Sequence, residues 1–146
     1  MKKIVITSGY FNPVHAGHMN LFREAKKLGD HLVVIVNNDA QVDVKGSKPF
    51  MAEQERLQIV GDIKHVDAVF LSVDKGGHIA ESLKAVAAKY IGHELVFAKG
   101  GDRHFDNLPE SEKKVCRDFN ITVVNGVGGD KIQSSSKLIN NVRTIS

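Results

Sequence analysis

Ile4-Val5-Ile6-Thr7-Ser8-Gly9-Tyr10-Phe11-Asn12-Pro13-Val14-His15-Ala16-Gly17-His18 is the stretch whose reading decides the fold. Its first three residues are apolar and β-branched, which suits a short buried strand. Beyond it, Leu21, Phe22, Ala25 and Leu28 recur at spacings of three and four, while Arg23, Glu24, Lys26 and Lys27 fill the other side. That pattern is an amphipathic helix, and Gly29 supplies its stop. A strand, a glycine-bearing loop and a helix in this order open a βαβ unit.

The alternation continues outward from there. Leu32-Val33-Val34-Ile35-Val36 is an unbroken apolar run ending in Asn37-Asn38-Asp39, as expected for a strand covered on both faces. Residues 66–73, 95–98 and 121–124 read as three more strands. Residues 51–63, 78–91, 110–118 and 135–143 carry helical patterns. The expectation is an α/β, Rossmann-like fold: a five-stranded, mainly parallel sheet with helices on both faces. With no repeat, low-complexity tract or linker, residues 1–146 read as a single domain with one sizeable core. Gly76-Gly77, Gly100-Gly101 and Gly126 to Gly129 follow predicted strands, where α/β sheets bind ligands. They read either as turns or as places of close backbone approach.

Composition narrows the function classes. Apolar residues make up 42% and charged residues 25% of the chain, ordinary for a globular protein. A net charge of +3 is too weak to argue for nucleic acid and suits an anionic small substrate. No uncharged apolar run approaches membrane-spanning length. Met1-Lys2-Lys3 leads into a very short apolar stretch, which reads as a first strand and not a signal peptide. Cys116 is the only cysteine. Neither an internal disulfide nor a multi-cysteine zinc site is possible, and a reducing cytoplasm is the expected setting. On a helical face with Val115 and Phe119, Cys116 reads as buried filler.

The chemistry concentrates between Gly9 and His18. The free N–H groups and dipole at a helix start favour an anion. Two imidazoles three residues apart, separated by Ala16 and Gly17, can both face that spot and donate to phosphate oxygens, and a protonated ring adds charge. A bare H-x-x-H is more often a pair of incidental loop histidines. As a zinc site it lacks a nearby cysteine or carboxylate. The surrounding Gly, Phe and Asn-Pro between strand and helix favour function. Phosphoryl transfer needs mainly positioning and charge stabilisation, so such donors suffice without a covalent nucleophile.

Gly9-Tyr10-Phe11-Asn12-Pro13-Val14-His15-Ala16-Gly17-His18 resembles the G-x-F-D-x-x-H-x-G-H signature of the cytidylyltransferase-like nucleotidylyltransferases, with Asn12 in place of the usual Asp. The likeness extends along nearly the whole chain. Lys45-Gly46-Ser47-Lys48-Pro49-Phe50 resembles the family's lysine-bearing loop, and Lys64-His65-Val66-Asp67 its R-Y-V-D segment. Ala98-Lys99-Gly100-Gly101-Asp102 is similar to the K-G-G-D of heptose-phosphate adenylyltransferases, and Ile132-Gln133-Ser134-Ser135-Ser136-Lys137 to the second signature, I-S-S-S.

The resemblance implies transfer of an NMP group from CTP or ATP to a phosphorylated small molecule, a sugar or polyol phosphate by the K-G-G-D likeness, with release of pyrophosphate. Nicotinate-mononucleotide and pantetheine-phosphate adenylyltransferases are the alternatives. It implies His15, His18 and Lys45 as catalytic residues. Gly9, Tyr10, Phe11, Gly17, Gly100, Asp102, Ser134, Ser135 and Ser136 would bind the nucleotide. Mg²⁺ would arrive on the NTP phosphates, with no protein-bound metal, and the assembly would be a homodimer. Arg56 reads either as a phosphate contact or as a partner of Glu53 on its helix. Lys131 stands near the place of a family arginine, without its bidentate fork. Lys45 is equally a solvated loop lysine, Asp102 a turn residue and Ser134 an ordinary helix cap. A dehydrogenase would need G-x-G-x-x-G after the first strand and a P-loop enzyme G-x-x-x-x-G-K-S/T, and neither is present. A non-catalytic nucleotide-binding protein is the competing class.

Overall fold

The computed structural model describes residues 1–100, 108–129 and 138–141. Five strands, β1 (Lys3–Gly9), β2 (His31–Val36), β3 (Ala68–Leu71), β4 (Glu94–Gly100) and β5 (Thr122–Val127), form one sheet in the order β3-β2-β1-β4-β5. Every pairing is parallel. Five helices connect them: α1 (Ala16–Lys26), α2 (Asp39–Val44), α3 (Glu53–Gly61), α4 (Ala80–Lys89) and α5 (Glu110–Asp118). Residues 138–141 are also helical, within the helix expected over 135–143, whose other residues lie outside the described ones.

Strand periodicity divides the core in two. Ile4, Ile6, Val33, Ile35, Leu95 and Phe97 pack with Leu83, Val86, Val115 and Cys116 of α4 and α5. Val5, Leu32, Val34, Val96 and Ala98 turn to the opposite face and meet Phe22, Ala25 and Val60 of α1 and α3. Helices therefore cover both faces, which is why the central strands are apolar at consecutive positions.

Three differences from expectation have a visible cause or consequence. β3 is shorter than residues 66–73, because the Val66 amide closes a turn on Ile63 and Ser72 and Val73 join a loop network. β5 runs on through Gly126 to Val127 and pairs again with Gly100 after a register shift. α2, where a loop was expected after the second strand, begins with a reciprocal box: Asn38 accepts from the Gln41 amide, and the Gln41 side chain accepts from the Asn38 amide.

Gly29 shows why the turn after α1 takes glycine. An added Cβ would stand 2.7 Å from the Lys3 carbonyl oxygen and 2.8 Å from Val5 Cγ2. The Lys3 oxygen already accepts from the Asp30 amide at 2.8 Å. Gly29→Ala should therefore cost about 1–3 kcal/mol through overpacking. An unchanged thermal midpoint would refute this.

Candidate active site

The strand order reverses direction between β1 and β4, so their carboxyl ends flank the crevice where open α/β sheets take ligands. The loop after β1 carries Gly9 to His18, and Gly100 closes β4.

The two histidines are built into the start of α1. His15 is the N-cap, with φ −145° and ψ 178°. Its Nδ1 accepts from the Gly17 amide at 3.1 Å, and the Nδ1 of His18 accepts from the His15 amide at 3.1 Å. This is a capping box made of imidazoles, in which backbone N–H groups engage both Nδ1 atoms. A backbone N–H only donates, so in this arrangement each Nδ1 is an accepting nitrogen, and any proton these rings donate sits on Nε2. The rings stack with centroids 3.7 Å apart and planes inclined by 23°, a contact that two imidazolium ions would oppose.

Phe11 supports the pair from below. Its backbone lies in the left-handed region, φ 52°, sparsely populated by residues other than glycine. Its ring folds back over Gly9, packs edge-on to His18 at 4.8 Å and reaches Phe22 at 5.3 Å. A Cβ on Gly9 would lie 2.8 Å from Phe11 Cζ, which accounts for the glycine. Phe11 is 1% exposed. The ring is core, and it packs against His18.

Arg56 is buried in the same way. Its side chain has no exposed surface, and it pairs with Asp39 at 2.6 Å, not with Glu53. Nε donates to the Met51 carbonyl at 2.9 Å, and Nη1 donates to the carbonyls of Tyr10 at 2.7 Å and Asn37 at 2.6 Å. The guanidinium thus ties the loops after β1 and β2 to the entry of α3. Asp39 and Glu53 in turn bond each other's backbone amides at 3.2 Å and 2.9 Å.

Lys45 is the C-cap of α2, and its Nζ sits 4.4 Å from the centre of the Tyr10 ring, a cation–π distance. Tyr10, the histidines and Lys45 therefore lie in adjoining segments at one sheet edge. Gly17 contributes its amide to the cap. Gly100 packs against Leu21, whose Cδ1 is 3.3 Å from where a Cβ would stand. Gly128, φ 86°, approaches the Leu21 backbone, and Asn20 donates to its carbonyl. That close approach is to α1. Asp102, Lys131, Ser134, Ser135 and Ser136 lie outside the described residues. Cys116 is buried, and burial, then Glu112, pushes its thiol up to about 11, as befits filler. Asn12 went unassigned in the sequence. It is 5% exposed and makes three hydrogen bonds to residues 48–51.

Residues 6–141 match the cytidylyltransferase-like family, and the chain belongs to it. An FAD synthase from Ferroglobus placidus is 34% identical over 99% of this chain and 90% of its own length. The bifunctional protein HldE of Koribacter versatilis is 43% identical over 94% of this chain but only 26% of its own length. The chain thus spans about a quarter of the HldE proteins it matches and most of the FAD synthases. A lipopolysaccharide core biosynthesis protein from Thermoplasma volcanium superposes with a TM-score of 0.67 at 28% identity, covering 86% of this chain and 95% of that one. The fold is shared more widely, as with TmcAL of Thermotoga maritima at 13% identity and TM-score 0.66, over 99% of this chain and 51% of that one. The chain is an enzyme of the nucleotidyltransferase class. Among the described residues, no helix is long and apolar enough to cross a membrane.

Proposed function

We propose that this enzyme transfers an NMP group from ATP or CTP to the phosphate of a small phosphomonoester. The observation that carries the reading is the stacked histidine pair at the start of α1, with both Nδ1 atoms engaged by backbone N–H groups. An acceptor phosphate oxygen attacks the α-phosphorus in line. The new P–O bond forms as the bond to the bridging oxygen breaks, and pyrophosphate leaves with that electron pair. His15 and His18 donate from Nε2 to the α-phosphate and the bridging oxygen as charge develops there. Lys45 meets the β- and γ-phosphates. On the resemblance alone, Ser134, Ser135 and Ser136, with Lys131 and Asp102, complete the seat. This described donor set, two N–H groups and an ammonium, suits phosphate oxygens and not a resident metal, so Mg²⁺ comes and goes with the nucleotide. A homodimer in the cytoplasm completes the proposal.

Two acceptor classes follow from different observations. The K-G-G-D likeness around Lys99 and Gly100 favours a sugar or polyol phosphate. The nearly full-length match to FAD synthases favours flavin mononucleotide. A screen of pyrophosphate release and product mass, with ATP and CTP against heptose phosphate, glycerol 3-phosphate, flavin mononucleotide, nicotinate mononucleotide and phosphopantetheine, separates them. One acceptor should dominate. Nucleotide binding without pyrophosphate release from any pair would favour a non-catalytic binding protein.

A further inference from the structure

The histidine motif is joined to the lysine-bearing loop by one buried amide. Asn12 Nδ2 donates to the Lys48 carbonyl at 3.0 Å, and its Oδ1 accepts from the amides of Phe50 at 2.6 Å and Met51 at 3.2 Å. The backbone partners fix the sense of each bond: a carbonyl only accepts and an N–H only donates. The residue must do both at once, which an ionised aspartate cannot. Replacing Asn12 by aspartate would keep the two accepted bonds and set a carboxylate oxygen against the Lys48 carbonyl. Arg56 ties the same junction a second time through the carbonyls of Tyr10 and Met51. The segment from Lys45 to Met51 is thus held at one end by the C-cap of α2 and at the other by Asn12 and Arg56. Lys45 comes to rest over Tyr10, two residues before Asn12.

We propose that Asn12 is a positioning residue for Lys45, and that its amide sets where the ammonium meets the triphosphate. The inference rests on the proposed reaction, but its test is read on binding of an α,β-methylene NTP analogue, which cannot be turned over. Loss of one hydrogen bond of this kind corresponds to a loss in affinity of about tenfold. Asn12→Asp should therefore weaken binding of the analogue about tenfold in folded protein. In a Lys45→Ala background the same change should cost less than about twofold, because the two side chains act as one unit. Amide exchange at Phe50 and Met51, monitored on the same variants, should stay protected in Asn12→Asp and become fast in Asn12→Leu. Additive effects of Asn12→Asp and Lys45→Ala would overturn the inference, as would unchanged affinity in folded Asn12→Asp or a parent chain that does not bind the analogue. A parent that binds the analogue yet transfers nothing to any acceptor overturns the proposed reaction and leaves the cycle readable.

Discussion

His15→Asn is expected to melt within about 2 °C of the parent, because asparagine is among the best N-cap residues, and yet to lose on the order of a hundredfold or more in turnover. Asparagine places an acceptor near the position of Nδ1, so the Gly17 amide keeps its partner. It has nothing at the position of Nε2. Alanine would be the poorer test, since loss of a cap alone costs about 1 kcal/mol. The same logic applies to His18, whose Nδ1 holds the His15 amide. His18→Asn should keep the fold and lose rate. His18→Gln, which reaches the Nε2 position with an N–H but vacates Nδ1, should recover part of the rate at some cost in stability. Because the donors act mainly on developing charge, these losses should fall on kcat more than on NTP binding. Steady-state kinetics beside thermal melts decide it. If His15→Asn and His18→Asn both turn over normally, the histidine mechanism fails.

The largest effect on stability is expected at Arg56. Removing one partner of a buried, hydrogen-bonded ion pair costs about 3–5 kcal/mol, because what remains has lost both water and partner. Arg56→Ala strands the carbonyls of Tyr10, Asn37 and Met51, while the Asp39 carboxylate keeps 34% of its surface and the bond from the Glu53 amide, which puts the loss at the lower end of that range. For a chain of this size the melting temperature should drop by roughly 10 °C. Arg56→Lys should recover little of it, since a single ammonium cannot span acceptors that the guanidinium reaches from Nε, Nη1 and Nη2. A melting temperature within about 2 °C of the parent for Arg56→Ala would show that these bonds contribute nothing net.

What could be read from the sequence follows from the range of each interaction. β1 and β2 were legible because burial on both faces leaves consecutive apolar residues, and α1 because its apolar stripe recurs over three turns. α2 was missed because six residues with Val42 and Val44 make no period. Yet its start signal, Asn38 followed three residues later by Gln41, was present in the chain. The location of the histidine site was legible from strand, glycine and helix order. The state of its rings was not, since it depends on which nitrogen faces which amide. Arg56 and Asn12 were illegible for a different reason. Their partners are backbone carbonyls and amides of residues up to 46 positions away, and backbone groups carry no sequence signature.

Each imidazole at the start of α1 gives Nδ1 to the helix and, under the proposed mechanism, Nε2 to the nucleotide. Folding and chemistry are thereby separable at the level of single atoms. A descendant of this chain that exchanged either histidine for asparagine would keep its helix start and retain its nucleotide seat. Under the proposed mechanism it would lose only the power to turn the nucleotide over, and the site would have a short mutational route from enzyme to silent nucleotide sensor.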